Sequence, residues 1–161
     1  MGLWGAILHQ LTPGLGIQSD FSLAMLFIII VLNKDYKTAL TCGIIIGVFA
    51  ALTTKTPGGQ LPNILDKFIT ANLVYLILIP LRSKINKLVQ MAIILPLGTL
   101  ISGTAFITLL ATIVGLPAGA SFGVLFASVV IPTMVINTLI GLVLFKIVEK
   151  ISATSGAYAV Q

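Results

Sequence analysis

The side chains that could do chemistry are few in this 161-residue chain: four acids (Asp20, Asp35, Asp66 and Glu149), a single His9, a single Cys42, and nine Lys or Arg. Hydrolysis or group transfer needs a matched set: paired carboxylates, a nucleophile beside a base, or a metal-binding cluster. No such set is present. No two acids share an apolar run, His9 has no partner at ligand spacing, and Cys42 stands alone in an apolar context. No Walker A motif or Gly-rich phosphate loop occurs either, so the chain is not expected to hydrolyse a nucleotide, and no cofactor or metal is expected. What remains is polar residues at helical spacing. Asn63, Asp66, Lys67 and Thr70 stand at i, i+3, i+4 and i+7, a single stripe on a helix. Thr104, Thr108 and Thr112 form a similar stripe, and Thr133 with Asn137 another.

The elements that must position these stripes lie in lipid. The chain is 58% apolar and 8% charged, against about 25% charged residues in a soluble domain. Charge-free runs extend from Phe21 to Asn33, Thr38 to Thr54, Phe68 to Leu81 and Leu88 to Phe145. The last must fold back at Gly115-Leu116-Pro117-Ala118-Gly119, giving Leu88 to Val114 and Ser121 to Ile147. Met1 to Gln10 are too few to cross a hydrocarbon core of about 30 Å. They are expected to be the outer end of a first helix whose beginning is missing, or a short re-entrant or interfacial segment. The expected fold is therefore an all-α integral membrane protein, a six-transmembrane-helix bundle with its first helix apparently truncated. It forms one transmembrane domain over residues 1–150 and a short tail over 151–161, frayed from Ser152. The runs shorter than about 20 residues must borrow flanking polar residues, which places some of those at membrane depth.

Lys and Arg set the orientation. With the chain starting inside, the inner connections hold Lys34, Lys37, Arg82, Lys84, Lys87, Lys146 and Lys150, and the outer ones hold Lys55 and Lys67. A multi-pass protein of the cell membrane with both termini in the cytoplasm is expected, and the net charge of +5 is a positive-inside signature rather than a sign of nucleic-acid binding. Gln18, Asp20, Lys55, Gln60, Asn63, Asp66 and Lys67 then gather at the outer face, in a pocket open to the outside. Pro62 suits the first turn of the helix that follows, whose positive end would face outward near a carboxylate. Bland readings stand beside these. Asp66 can offset the helix dipole while Lys67 snorkels to headgroups, and the Thr stripes can pack and bond back to the preceding turn. Asn72 and Asn137 can bond between helices or contact a ligand. The small residues Gly43, Gly47 and Ala51, and again Gly98 and Ser102, serve internal packing or a partner's docking.

Thr53-Thr54-Lys55-Thr56-Pro57-Gly58-Gly59-Gln60-Leu61-Pro62-Asn63-Ile64-Leu65-Asp66-Lys67 resembles the tryptophan-transporter family TrpP, substrate-binding S components of energy-coupling-factor (ECF) transporters. The order of apolar spans agrees, as do Val114 to Gly119, Ile101-Ser102-Gly103, and Pro132 followed by Val135-Ile136-Asn137-Thr138. The resemblance covers about His9 to Lys150. The chain departs from it in the short first helix and in an outer loop that reads Gln18-Ser19 before Asp20, where Lys-Pro is expected. The short helix leaves Gly2 and Ala6 of a face that contacts the coupling protein in such S components.

The resemblance implies capture of an amino acid, most readily L-tryptophan, from outside. A coupling transmembrane subunit and two cytoplasmic ATPase subunits would supply the energy. Asp66 or Asp20 would take the ammonium group, Lys67 the carboxylate, and Gln60, Asn63 and Asn137 would fix orientation. Phe106 and Phe122 would stack on an indole ring, or simply face lipid or core. The alternatives are an S component for a vitamin or other small molecule, and a membrane interaction or scaffold subunit without a substrate.

Overall fold

The computed structural model describes residues 13–54, 56–116 and 120–155, with side chains from Phe21 onward. Five helices cover most of them: α1 (Pro13–Leu32), α2 (Tyr36–Thr53), α3 (Gln60–Leu81), α4 (Lys87–Ile113) and α5 (Phe122–Ser155). No strand occurs among the described residues. The latter four are long and apolar enough to cross a bilayer, and Phe21–Leu32 of α1 is a shorter apolar stretch. The first of the six expected helices, with His9, lies outside the described residues.

Local chemistry sets the helix ends. Asp35 caps α2, accepting from the Thr38 amide at 2.9 Å and the Thr38 hydroxyl at 2.8 Å. These two bonds, the hydroxyl first, hold the Asp35 carboxyl below its ordinary value of 3.8. Asn86 caps α4 through the Val89 amide at 2.9 Å, and Ser121 caps α5 through the Val124 amide at 3.3 Å. Between α2 and α3 the chain reverses at Thr56-Pro57-Gly58-Gly59, closed by the Gly59 amide on the Thr56 carbonyl at 2.9 Å. Gly58 takes a φ of 70°, which the third position of a type II turn demands. Pro62 sits in the first turn of α3, as its sequence position predicts.

α1 forms the centre. Leu23, Ala24, Leu26, Phe27, Ile28, Ile30 and Val31 are all buried, so beyond Phe21 this helix is covered by the others rather than by lipid. It packs against each of the other four. The side chain of Asp20 is not described, but the backbone of Gln18, Ser19 and Asp20 is helical. This corrects the expected outer loop there: the apolar run borrows these polar residues to reach 20, about the length a bilayer requires. At the other end of α1 the Arg82 guanidinium donates to the carbonyls of Ile30 at 2.7 Å and Asn33 at 2.9 Å and lies over the Tyr75 ring. It thereby satisfies carbonyls that the helix end leaves open.

The outer surface inverts that of a soluble protein. Leu52 is 80% exposed, and Ile45, Leu76, Leu139 and Val143 are each more than half exposed, while Asn63, Asp66, Lys67, Thr70, Thr99, Ser102 and Asn137 are buried. Lipid is the solvent in which that arrangement is stable. Pro80 and Pro96 lie within continuous helices. Pro132 follows a π-helical turn, Phe126–Val130, which widens the coil where the proline ring would meet the carbonyl four residues back. α5 continues to Ser155, four residues into the segment expected to fray at Ser152.

Candidate functional site

The site begins with two glycines. A Cβ on Gly43 would stand 2.6 Å from the Cβ of Ala71, and one on Gly47 would stand 3.1 Å from Ile64 Cα and 3.3 Å from Lys67 Cβ. Only residues without side chains let α2 lie this close to α3. The small-residue face of α2 thus serves internal packing, and it seals the turn of α3 that carries Asp66 and Lys67.

That turn holds a buried ion pair. The Lys67 ammonium donates to the Asp66 carboxylate and to Ser102 Oγ on α4, the latter at 3.0 Å. Ser102 Oγ in turn donates to Asp66 Oδ2 at 3.0 Å, and Thr70 Oγ1 donates to Asp66 Oδ1 at 3.0 Å. Asp66 and Thr70 are fully buried, Lys67 and Ser102 nearly so. The group lies about 9 Å along the axis from Gln60, at 1.5 Å per residue, within the apolar span. Lys67 therefore does not snorkel to the headgroups, and it sits inside the span rather than in an outer connection. In a low-dielectric interior each charge needs the other, because an unpaired ion there is far more costly than a paired one.

One turn away along α4, Thr99 gathers the second polar group. Asn137 of α5 donates through Nδ2 to Thr99 Oγ1 at 2.7 Å, and Thr99 donates to the Leu95 carbonyl at 2.7 Å. Asn137 is 1% exposed, and its Oδ1 is buried with no partner among the described residues. Thr99 and Ser102, three residues apart on one face of α4, thus tie α3 and α5 to a common polar core.

Of the expected site residues, Asn63, Asp66, Lys67 and Asn137 are buried. Asn63 Nδ2 donates back to the Gly59 carbonyl at 2.8 Å, bracing the start of α3. Gln60 is exposed in the first turn and is not brought to this core. Lys55 and the side chain of Asp20 lie outside the described residues. Among the described residues the polar atoms of the expected outward pocket turn on one another. Two shallow concavities of the described residues lie elsewhere: an apolar groove of about 380 Å³ between α3 and α4, bounded by Ile69, Leu73, Leu100, Ile101, Thr104 and Ala105, and a smaller one at Lys150 to Ser155.

Thr108 and Thr112 are exposed and donate back to the Thr104 and Thr108 carbonyls at 2.7 and 3.0 Å, so that stripe bonds within its own helix. Asn72 accepts from the Tyr36 hydroxyl at 2.6 Å, a bond between helices. Phe106 is half-buried and Phe122 exposed, stacked on Phe126 at 6.2 Å. Ser102 and Thr99 were not legible as site residues. Ser102 reads as a packing residue and as part of the Ile101-Ser102-Gly103 resemblance, and the signal that links it to Thr99 is their spacing of three on one helix face.

Long apolar helices, an apolar outer surface and a buried polar core at membrane depth define a multi-pass integral membrane protein of helical-bundle type. A family profile described as "Tryptophan transporter TrpP" matches residues 2–153, and the chain belongs to that family. It is 52% identical to a probable tryptophan transport protein of Clostridium perfringens and 49% identical to one of Clostridium acetobutylicum. A Bacillus subtilis protein of the same description is 39% identical. Each match covers 91% of this chain and 85% of the relative. No solved structure matches at a significant level.

Proposed function

We propose that the chain is the substrate-binding S component of an ECF-type importer, capturing L-tryptophan from outside the cell. The observation that carries the reading is the Asp66–Lys67 pair buried with Ser102 in the outer part of α3. An amino acid zwitterion carries the same two charges on adjacent groups. It can stand between the partners, ammonium on Asp66 and carboxylate on Lys67, without changing the net charge of the dry interior. Ser102 Oγ, already bonded to both, is placed to follow either group. The family supports tryptophan as cargo.

Lys34, Lys37, Arg82, Lys84, Lys87, Lys146 and Lys150 lie at helix ends that alternate to one side of the bundle. By the positive-inside rule that side is cytoplasmic, with the end of α5 inside and the starts of α1 and α3 outside. In this reading ATP hydrolysis belongs to two partner ATPases that act through a coupling transmembrane subunit.

The test is equilibrium binding of labelled L-tryptophan to the purified, detergent-solubilised protein, with leucine, phenylalanine and riboflavin as competitors. Saturable binding that none of the three displaces is expected, with at least tenfold weaker binding to folded Asp66→Asn and Lys67→Met. Equal binding by both variants refutes the assignment of the pair, and no binding by folded wild type refutes the function.

A further inference from the structure

Asn137 Oδ1 is a buried acceptor with no donor among the described residues, and such groups are few enough in native proteins that each calls for a use. The amide's orientation follows from its neighbour. The Thr99 hydroxyl gives its proton to the Leu95 carbonyl, so Thr99 Oγ1 accepts from Asn137, and the atom facing it must be Nδ2. Oδ1 is thereby held as a fixed, unoccupied acceptor.

We infer that Asn137 Oδ1 is the acceptor for the ring N–H of an indole side chain, the contact that selects tryptophan over other apolar amino acids. The inference rests on the proposed function. Thr99, which anchors Asn137, lies one turn deeper on α4 than Ser102, which bonds both charges of the Asp66–Lys67 pair. Three residues correspond to about 4.5 Å of rise. An amino acid held by its charged groups at Ser102 therefore directs its side chain along α4 toward Asn137. Among apolar side chains of that reach, the indole carries an N–H donor; leucine and phenylalanine carry none. The outer part of α5 walls this path, its π-helical turn seating Val130 on Gly103, beside Ser102.

The test compares L-tryptophan with β-(3-benzothienyl)-L-alanine, in which sulfur replaces the N–H in a ring of nearly the same shape. Binding of both is measured on the purified wild type and on Asn137→Leu. Wild type is expected to prefer tryptophan by about tenfold or more, the worth of one buried hydrogen bond, and Asn137→Leu to bring that ratio close to one. Equal wild-type affinities overturn the inference while leaving tryptophan binding intact, and this arm decides even where Asn137→Leu does not fold. A ratio preserved in Asn137→Leu overturns the assignment to Asn137. A wild type that binds neither ligand overturns the proposed function and the inference with it.

Discussion

Lys67→Met removes the one cation buried among the described residues and leaves the Asp66 carboxylate with two hydroxyl donors, Ser102 and Thr70. Both side chains of the pair are almost wholly inaccessible, so water cannot replace the ammonium. Breaking a buried pair from one side costs about 3–5 kcal/mol, and the two remaining hydroxyls put the expected loss near the lower end, about 3 kcal/mol. At about 2–4 °C per kcal/mol for a chain of this size, the midpoint should fall by about 6–12 °C. Asp66→Asn combined with Lys67→Met removes both charges and should cost about 2 kcal/mol less than the two single losses added together. The assay is unfolding of the four proteins in one detergent, without substrate, followed by helical circular dichroism. Additivity within about 0.5 kcal/mol would refute the claim that the charges stabilise each other in a dry core.

Gly43→Leu places a Cβ 2.6 Å from Ala71 and should cost about 3 kcal/mol or more by forcing α2 off α3. Gly115→Ala, at a φ of 93° with nothing within 4 Å, should cost only about 1–2 kcal/mol of backbone strain; similar losses in denaturation midpoint would refute the packing account. Asp35, whose carboxyl Thr38 holds below 3.8, contributes stability above that pH, and the contribution is lost as pH falls through the lower native value. Asp35→Ala should therefore be less stable than wild type at neutral pH and converge with it in acid, and midpoints that stay equally far apart from pH 6 to 2 would refute the cap.

Much of the fold is legible in the amino-acid order because its causes are local. Charge-free runs bracket α2 and α4 to within two residues and mark the start of α5, which continues eight residues past Ile147, since hydrocarbon tolerates charge poorly wherever it falls. The glycines around Leu116 predict the break between α4 and α5 for a similar reason: Gly115 adopts a φ that other residues resist. The stripe from Asn63 to Thr70 is readable from a period of 3.6, and the structure buries all four of its members. The Thr104 to Thr112 stripe has the same period and yet bonds within its own helix. Periodicity puts residues on one face without saying what that face meets.

Composition and spacing thus settle the solvent, the spans and the residues that share a helix face, because each follows from hydrocarbon thickness and helix pitch. Tertiary structure decides the rotation of each helix and its partners. α1 is the buried centre although its run reads like its neighbours, and Asp66 finds Ser102 across 36 positions and Asn137 finds Thr99 across 38. In lipid the outward face of a helix is as apolar as the inward one, so no hydrophobic gradient along the chain marks which face turns in. Close packing at glycines and the need of buried charges for partners make that choice, and both act only once the helices are assembled.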